Sequence, residues 1–393
     1  MTVVRLKAVA TLNTAVNSVE ERPLLSLDLI ESGTGKLVKA ADVPVWRPPA
    51  SGVAEAKPGD VLFGKLRPYL SKSLLVEAPS YASTELLCLR PTPSTDSRWL
   101  AYVVQSRPFV DWTVATSDGT KMPRTSWEKA SGFRVDQPGI AEQRSIADFL
   151  DAETARIDAL IARKRRLIDL LDERATAHIE ARMCEWSNEE RPLRRLLSDP
   201  PQYGAGESGE SSPAPAVSWP RYIRITDLRW NGVLADEDVR VLAPALAAPY
   251  MLKDGDLLFA RSGATVGKSF RYQLRLGPAC FAGYLIRLRF DRAEVLPSLV
   301  DHWTQTGHYW DQIRGASVQA TIENVSAERY KELLFPLPPR AEQDGLVAEF
   351  DRVRRTSRRA GESLSVQIDL LVERRQALIT AAVTGELAVP GAA

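Results

Sequence analysis

The sequence predicts an α+β fold: two duplicated mixed α/β domains separated by two long antiparallel helices that pair as a coiled coil. Three observations carry this prediction. First, four motifs recur in the same order. Asp28-Leu29-Ile30-Glu31-Ser32-Gly33 returns as Asp227-Leu228-Arg229-Trp230-Asn231-Gly232, and Gly59-Asp60-Val61-Leu62-Phe63 as Gly255-Asp256-Leu257-Leu258-Phe259. Ala141-Glu142-Gln143 returns as Ala341-Glu342-Gln343, and Ile168-Asp169-Leu170-Leu171 as Ile368-Asp369-Leu370-Leu371. The repeat of roughly two hundred residues is far longer than a solenoid unit, so it is a domain with a trailing helix. Second, each copy opens with short apolar runs cut by Pro and Gly. Third, each copy closes with a long segment of helical periodicity.

In order along the chain, Leu24–Ile30, Val61–Phe63, Leu74–Val76 and Leu86–Leu89 read as strands, with a helix around Trp99–Gln105. From Ile140 to about Met183 there is no Pro or Gly, and Ile157, Ile161, Ile168 and Leu171 follow a heptad seam interrupted at Lys164. A helix of this length would run roughly 60 Å. The second copy begins near Leu193. Its low-complexity stretch 204–216 reads as a mobile loop. Strands follow at Tyr222–Ile225, Leu257–Ala260 and Leu285–Phe290, then a second long helix from Ala341 to about Leu387 with a seam at Leu364, Ile368, Leu371 and Leu378. Gly361 weakens that helix, and Asp344-Gly345 makes its start less regular than the first. Two amphipathic helices of this length bury their stripes most economically against each other. The boundaries expected are a first domain at 1–138, a helix at 139–190, a second domain at 191–339, and a helix with its tail at 340–393.

Composition excludes several classes. With 51 Lys and Arg against 50 Asp and Glu, no global basic excess points to nucleic acid, so any such surface must be local. Cys88, Cys184 and Cys280 lack pairing or zinc spacing, which fits a reducing cytoplasm. No apolar run is long enough for a membrane span. Gly263-Ala264-Thr265-Val266-Gly267-Lys268-Ser269 is one residue short of a phosphate-binding loop. Asp199-Pro200-Pro201-Gln202-Tyr203 lacks the aromatic that an amino-methyltransferase loop places directly after its second Pro, and reads as a loop entering the second domain. Asp42, Glu55 and Lys57 have nuclease residue types, but Pro44, Pro48 and Pro49 break the strand such a site rides on. His178, His302 and His308 form neither a triad nor a ligand set. No catalytic residue, metal site or cofactor is expected.

Two local basic surfaces remain. Leu257–Phe290 holds six Lys and Arg and no acid, with Arg261, Ser262, Thr265 and Lys268 on a loop between strands. Lys65, Arg67, Tyr69 and Lys72 fall at the matching place in the first copy. A later loop carrying Thr120, Lys121 and Arg124 has its counterpart around Ser317 and Gln319. Arg and Lys reach phosphates and guanine edges, while Gln and Ser suit other base edges. By contrast, Arg163–Arg166 lies on a helix with eight basic and nine acidic residues, and reads as a solvated face.

The motifs Gly59–Tyr69, Gly119–Arg124, Ala141–Leu150 and Arg156–Ile161, with Ala341–Gln343 and Val383–Leu387 in the second copy, resemble specificity subunits of type I restriction–modification systems. The resemblance implies two target-recognition domains, each reading one half of a split double-stranded DNA sequence. It implies helices that space these domains and carry two methyltransferase (modification) subunits, with restriction/translocase subunits joining them. Methyl transfer, ATP hydrolysis and cleavage would then belong to the partners. The alternatives are a self-sufficient DNA methyltransferase or nuclease, and a protein scaffold without DNA recognition. Assay of the purified chain alone for cleavage and methylation separates the specificity-subunit reading from the self-sufficient enzyme, and DNA binding with partners present separates the scaffold.

Overall fold

The structure is a computed structural model that describes residues 2–15, 20–38, 43–46, 53–211, 219–229, 233–317 and 324–390. The chain divides into two compact units, residues 1–165 with 364–393, and residues 166–363. Each repeats one plan.

In the first unit an antiparallel sheet runs in the order Ala10–Leu12, Leu86–Pro91, Val61–Gly64, Ser73–Leu75. A second sheet, Val45–Trp46, Arg22–Leu25, Ser80–Ala82, Ala54–Ala56, has one parallel pair at its centre, Leu24 opposite Tyr81. The second unit repeats the antiparallel sheet strand for strand. Its antiparallel sheet is Leu197–Tyr203, Leu285–Phe290, Leu257–Ala260, Ser269–Arg271, and its smaller sheet again holds one parallel pair, Tyr222 opposite Cys280, here with the Ala279–Phe281 strand at the edge. The duplication read from short motifs is a duplication of topology in the antiparallel sheet and in the parallel pair beside it.

The repeated Gly-Asp has a structural cause. Gly59 (φ 93°) and Gly255 (φ 89°) turn the chain into the central strand through backbone space that side chains avoid. The Asp after each is buried, and its carboxylate takes the Lys57 or Lys253 amide on one oxygen. Arg90 then grips Asp60 with two bonds (2.9 and 2.7 Å), as Arg289 grips Asp256 (both 2.7 Å). The repeated Glu-Gln is explained likewise. Gln143 and Gln343 are fully buried at the starts of the long helices. Gln143 donates to the Ser94 and Pro138 carbonyls and accepts from the Asp96 amide; Gln343 does the same with Glu294, Pro338 and Leu296. Each amide fastens a helix to its domain by satisfying three backbone groups that burial would otherwise orphan.

The long helices span Ile140–Cys184 and Arg340–Val383. In the first unit Asp158 meets Arg375 (3.1 Å) and Lys164 meets Gln367 (2.6 Å), so one helix ascends as the other descends. In the second unit His178 meets Glu349 (2.6 Å) and Arg354 lies 3.4 Å from Asp172, again antiparallel. Ile146, Leu150, Ile379 and Val383 enter the first unit's core, and Ile179, Met183, Leu346 and Phe350 the second's. Along the seam Ile157, Ile161 and Ile368 are buried, and Ile168, Leu171, Leu364, Leu371 and Leu378 half-buried. The second helix runs through Gly345 without a break. A Cβ on Gly361 would meet the Ile168 Cγ2 at 3.8 Å, an ordinary contact. Gly361→Ala should therefore stabilise by about 1 kcal/mol, read as a rise of roughly 2–4 °C in melting temperature; no rise would mean the helix is already strained there.

Three local expectations differ from the structure. Leu24–Ile30 is not one strand: the chain leaves it after Leu25 and makes a 3-10 turn at Leu27–Leu29. Asp199–Tyr203 is edge strand rather than loop, with a register shift between Asp199 and Gln202 where Pro200 and Pro201 cannot donate. The first part of the low-complexity stretch is ordered. Gly204 packs so closely that a Cβ would lie 2.3 Å from the Phe281 and Ala282 carbonyls, Ala205 bridges to Ala282, and Glu210–Ser211 is a strand. Residues 212–216 of that stretch lie outside the described residues. Small side chains there permit close packing, which composition reads as looseness.

Candidate nucleic-acid interface

In the first unit the strands Val61–Gly64 and Ser73–Leu75 are joined by a loop around a 3-10 turn at Pro68–Leu70. Arg67 (φ 49°) and Ser71 (φ 48°) flank that turn, and among the described residues they are the two non-glycines with left-handed backbone. Such conformations cost about 1–3 kcal/mol each and persist where surrounding bonds fix them. Here the Arg67 amide donates to the Pro123 carbonyl (2.7 Å), the Thr125 amide to the Lys65 carbonyl (2.9 Å), and Leu66 bridges Arg124. Those bonds merge the 65–72 loop with the 117–124 loop into one surface.

Its side chains divide into two groups. Arg67, Tyr69, Thr120, Lys121 and Arg124 are exposed, with Met122 beside them. Among the described residues neither Arg67 nor Lys121 has an ion-pair partner, and Arg124 reaches Glu85 at 3.1 Å. The other two lysines are held by the protein. Lys65 donates to the Thr84 carbonyl (2.7 Å) and Lys72 to the Leu27 carbonyl (2.8 Å).

The second unit repeats the construction. A 3-10 turn at Gly263–Thr265 joins strands Leu257–Ala260 and Ser269–Arg271, the Val325 amide donates to the Arg261 carbonyl, and Ser262 bridges Asn324. The guanidinium of Arg261 lies over the Tyr203 ring, 4.9 Å from its centroid, where the ring's π face favours a cation. Ser262 and Thr265 are half-buried. Lys268, expected on this surface, is only 9% exposed, with its ammonium 3.5 Å from the Leu228 carbonyl; burial lowers its pKa. Like Lys72, it leans back over the turn after the smaller sheet's inner strand. Ser317 ends the helix Gly307–Ser317, so the expected loop begins as helix; its side chain, and Gln319, lie outside the described residues.

Two exposed aromatics, Tyr203 (41%) and Tyr284 (64%), join this surface and were not singled out from sequence. The available signal was position: Tyr284 follows Gly283 at a tight turn, where a large ring has no core to enter. Arg287 and Arg289, counted among the basic residues, are taken inward. Arg289 is bound by Asp256 and Asp199, which raise its pKa, and burial lowers that of Arg287.

The tempting catalytic residues are engaged elsewhere. Glu55 accepts from Arg22 at 2.7 Å and Asp199 from Arg289 at 2.6 Å, while Asp42 lies outside the described residues. Each histidine faces a carboxylate: His178 with Glu349, His302 with Asp351 (3.0 Å), His308 with Glu190 (3.1 Å). No helix among the described residues is long and apolar enough to cross a membrane.

No protein-family model matches the chain, and no curated protein does. Solved structures do match. A chain from a structure of complex assembly and conformational transition in the type I R-M system is 18% identical, with 98% of each chain covered and a TM-score of 0.67. The HsdS subunit from Thermoanaerobacter tengcongensis is 20% identical, covers 98% of this chain and 97% of its own, and has a TM-score of 0.44. The type I restriction–modification S subunit from M. genitalium is 12% identical, with 97% and 96% covered and a TM-score of 0.40. Across essentially its whole length, then, this duplicated chain has the fold of the chain from the type I R-M system.

Proposed function

We propose that this protein is the non-catalytic DNA-recognition subunit of a type I restriction–modification assembly. Each unit reads one half of a split double-stranded DNA target. The helix pair carries two adenine-methyltransferase (modification) subunits, and restriction/translocase subunits complete the endonuclease, in the cytoplasm. The observation that carries this reading is the whole-chain fold shared with a type I R-M chain at a TM-score of 0.67. The two copies of one basic strand-joining loop, each tied by the same backbone pairing to a second segment, support it. The reading heads are assigned to residues 1–138 and 191–339, with spacers at 139–190 and 340–393. No cofactor or metal is assigned to this chain.

The contacts assigned are phosphate and base-edge donors on Arg67, Lys121 and Arg124 in one head and Arg261 in the other, with Tyr69 and Thr120 beside the first and Ser262 and Thr265 beside the second. Each cation that meets a phosphate releases counterions, so its removal should shallow the salt dependence of binding by about one unit. Arg67→Ala, Lys121→Ala and Arg261→Ala should each do so in the assembled complex, measured by titrating DNA across a salt series. Lys268→Ala should instead lower stability and leave the slope in place. Unchanged slopes for all three positions would place these loops away from DNA.

A further inference from the structure

The helix seam of the first unit contains a charge that the heptad pattern does not call for. The repeat that aligns Ile168 with Ile368 and Leu171 with Leu371 aligns Ala175 with Arg375. Arg375 is 6% exposed, and all three of its bonding directions are used. Nε donates to Asp158 on the facing helix (3.1 Å), Nη1 to the Gly33 carbonyl (3.0 Å) and Nη2 to the Thr34 carbonyl (2.9 Å). Lys36 closes on the same carboxylate at 2.6 Å. A planar guanidinium suits this task, because its fork can meet a carboxylate and two carbonyls in one plane.

The 33–35 turn held this way is left-handed at Gly33 and Gly35 (φ 70° and 76°), and a cleft of about 760 Å³ opens beside it, lined by Leu25, Leu37, Leu74, Val76 and Tyr102. Hydrogen bonds from Arg375 fix the turn against the helices. The turn in turn touches the reading loop: the Gly33 amide donates to the carbonyl of Ser71, one of the two strained residues flanking Pro68–Leu70. A continuous bonded path runs from the helix pair through Arg375 and Gly33 to Ser71, and so to Arg67 and Tyr69.

We infer that Arg375 is a positioning residue: anchored in the helix seam, it sets the conformation of the first DNA-reading loop through the Gly33–Thr34 turn. This rests on the DNA-reading function proposed above. A purely structural arginine would alter stability and overall affinity; a positioning one alters discrimination in one half-site alone.

The test uses the full chain assembled with modification subunits, and a library of duplexes randomised in both half-sites. Arg375→Lys keeps a cation near Asp158 but loses the fork, so the complex should still assemble. Discrimination at the first half-site should fall roughly 10-fold, while the second half-site stays unchanged. Asp158→Asn, which leaves both carbonyl bonds, should fall less. Should Arg375→Lys unfold the unit in a thermal melt, Arg375→Gln, with two amide donors for the carbonyls, serves instead with the same expectation. Unaltered discrimination at both half-sites, or an equal loss at both, would overturn the inference. A wild-type complex that selects no split sequence would overturn the DNA-reading function itself and this inference with it.

Discussion

Asp256→Ala should cost about 3–5 kcal/mol of stability. The carboxylate is 1% exposed and answers two guanidinium hydrogens of Arg289 and the Lys253 amide. Removing it leaves a guanidinium with a 16%-exposed side chain, retaining only the more exposed Asp199. An interior cation without its partner is penalised far more than a missing surface pair. The same substitution in the first unit should cost less. Arg90, the partner of Asp60, has a side chain 39% exposed and can turn toward water. Urea denaturation of both variants beside the wild type checks the ordering. Equal losses, or a smaller loss for Asp256→Ala, would mean that exposure of the arginine does not govern the cost.

Much of this architecture is legible in sequence because periodicity records burial. The seam at Ile157, Ile161 and Ile368 follows from helical spacing, and the central strands from apolar runs beside a Gly-Asp turn. What escaped is what depends on partners distant in sequence. Nothing near Lys268 announces that its ammonium folds over the Leu228 carbonyl, so in sequence it stands with the exposed cations. The merging of the 65–72 and 117–124 loops rests on backbone bonds from Lys65 and Arg67 to Thr125 and Pro123, which leave no compositional trace. Gln143 and Gln343 showed themselves as a repeated motif, but their role as buried clamps required the carbonyls they meet. Arg375 reads as a fault in the heptad pattern until Gly33 and Thr34 are seen above it. Charged residues in apolar positions mark places where the pattern yields to a specific bond.

The second large effect follows from the proposed division of DNA reading between the two units. If each is an independent reading head, replacing residues 1–138 with the corresponding segment of a type I specificity subunit that reads a different target should rewrite one half of the recognised sequence. Each mismatched base pair costs about 1–3 kcal/mol, so a half-site of several pairs should switch preference by about three orders of magnitude or more. The graft leaves the Gln343 clamp and the second-unit loop bearing Arg261 and Tyr203 as they are. It replaces the turn that Arg375 holds, so a donor with glycine at the position of Gly33 is the fair choice. The decisive measurement is a genome-wide map of methylated sites in cells carrying the modification subunits with either the wild-type chain or the exchanged one. Sites sharing the second half and differing only in the first are the predicted result. A change in both halves together, or an active exchanged complex whose sites are the same as wild type, would contradict the account.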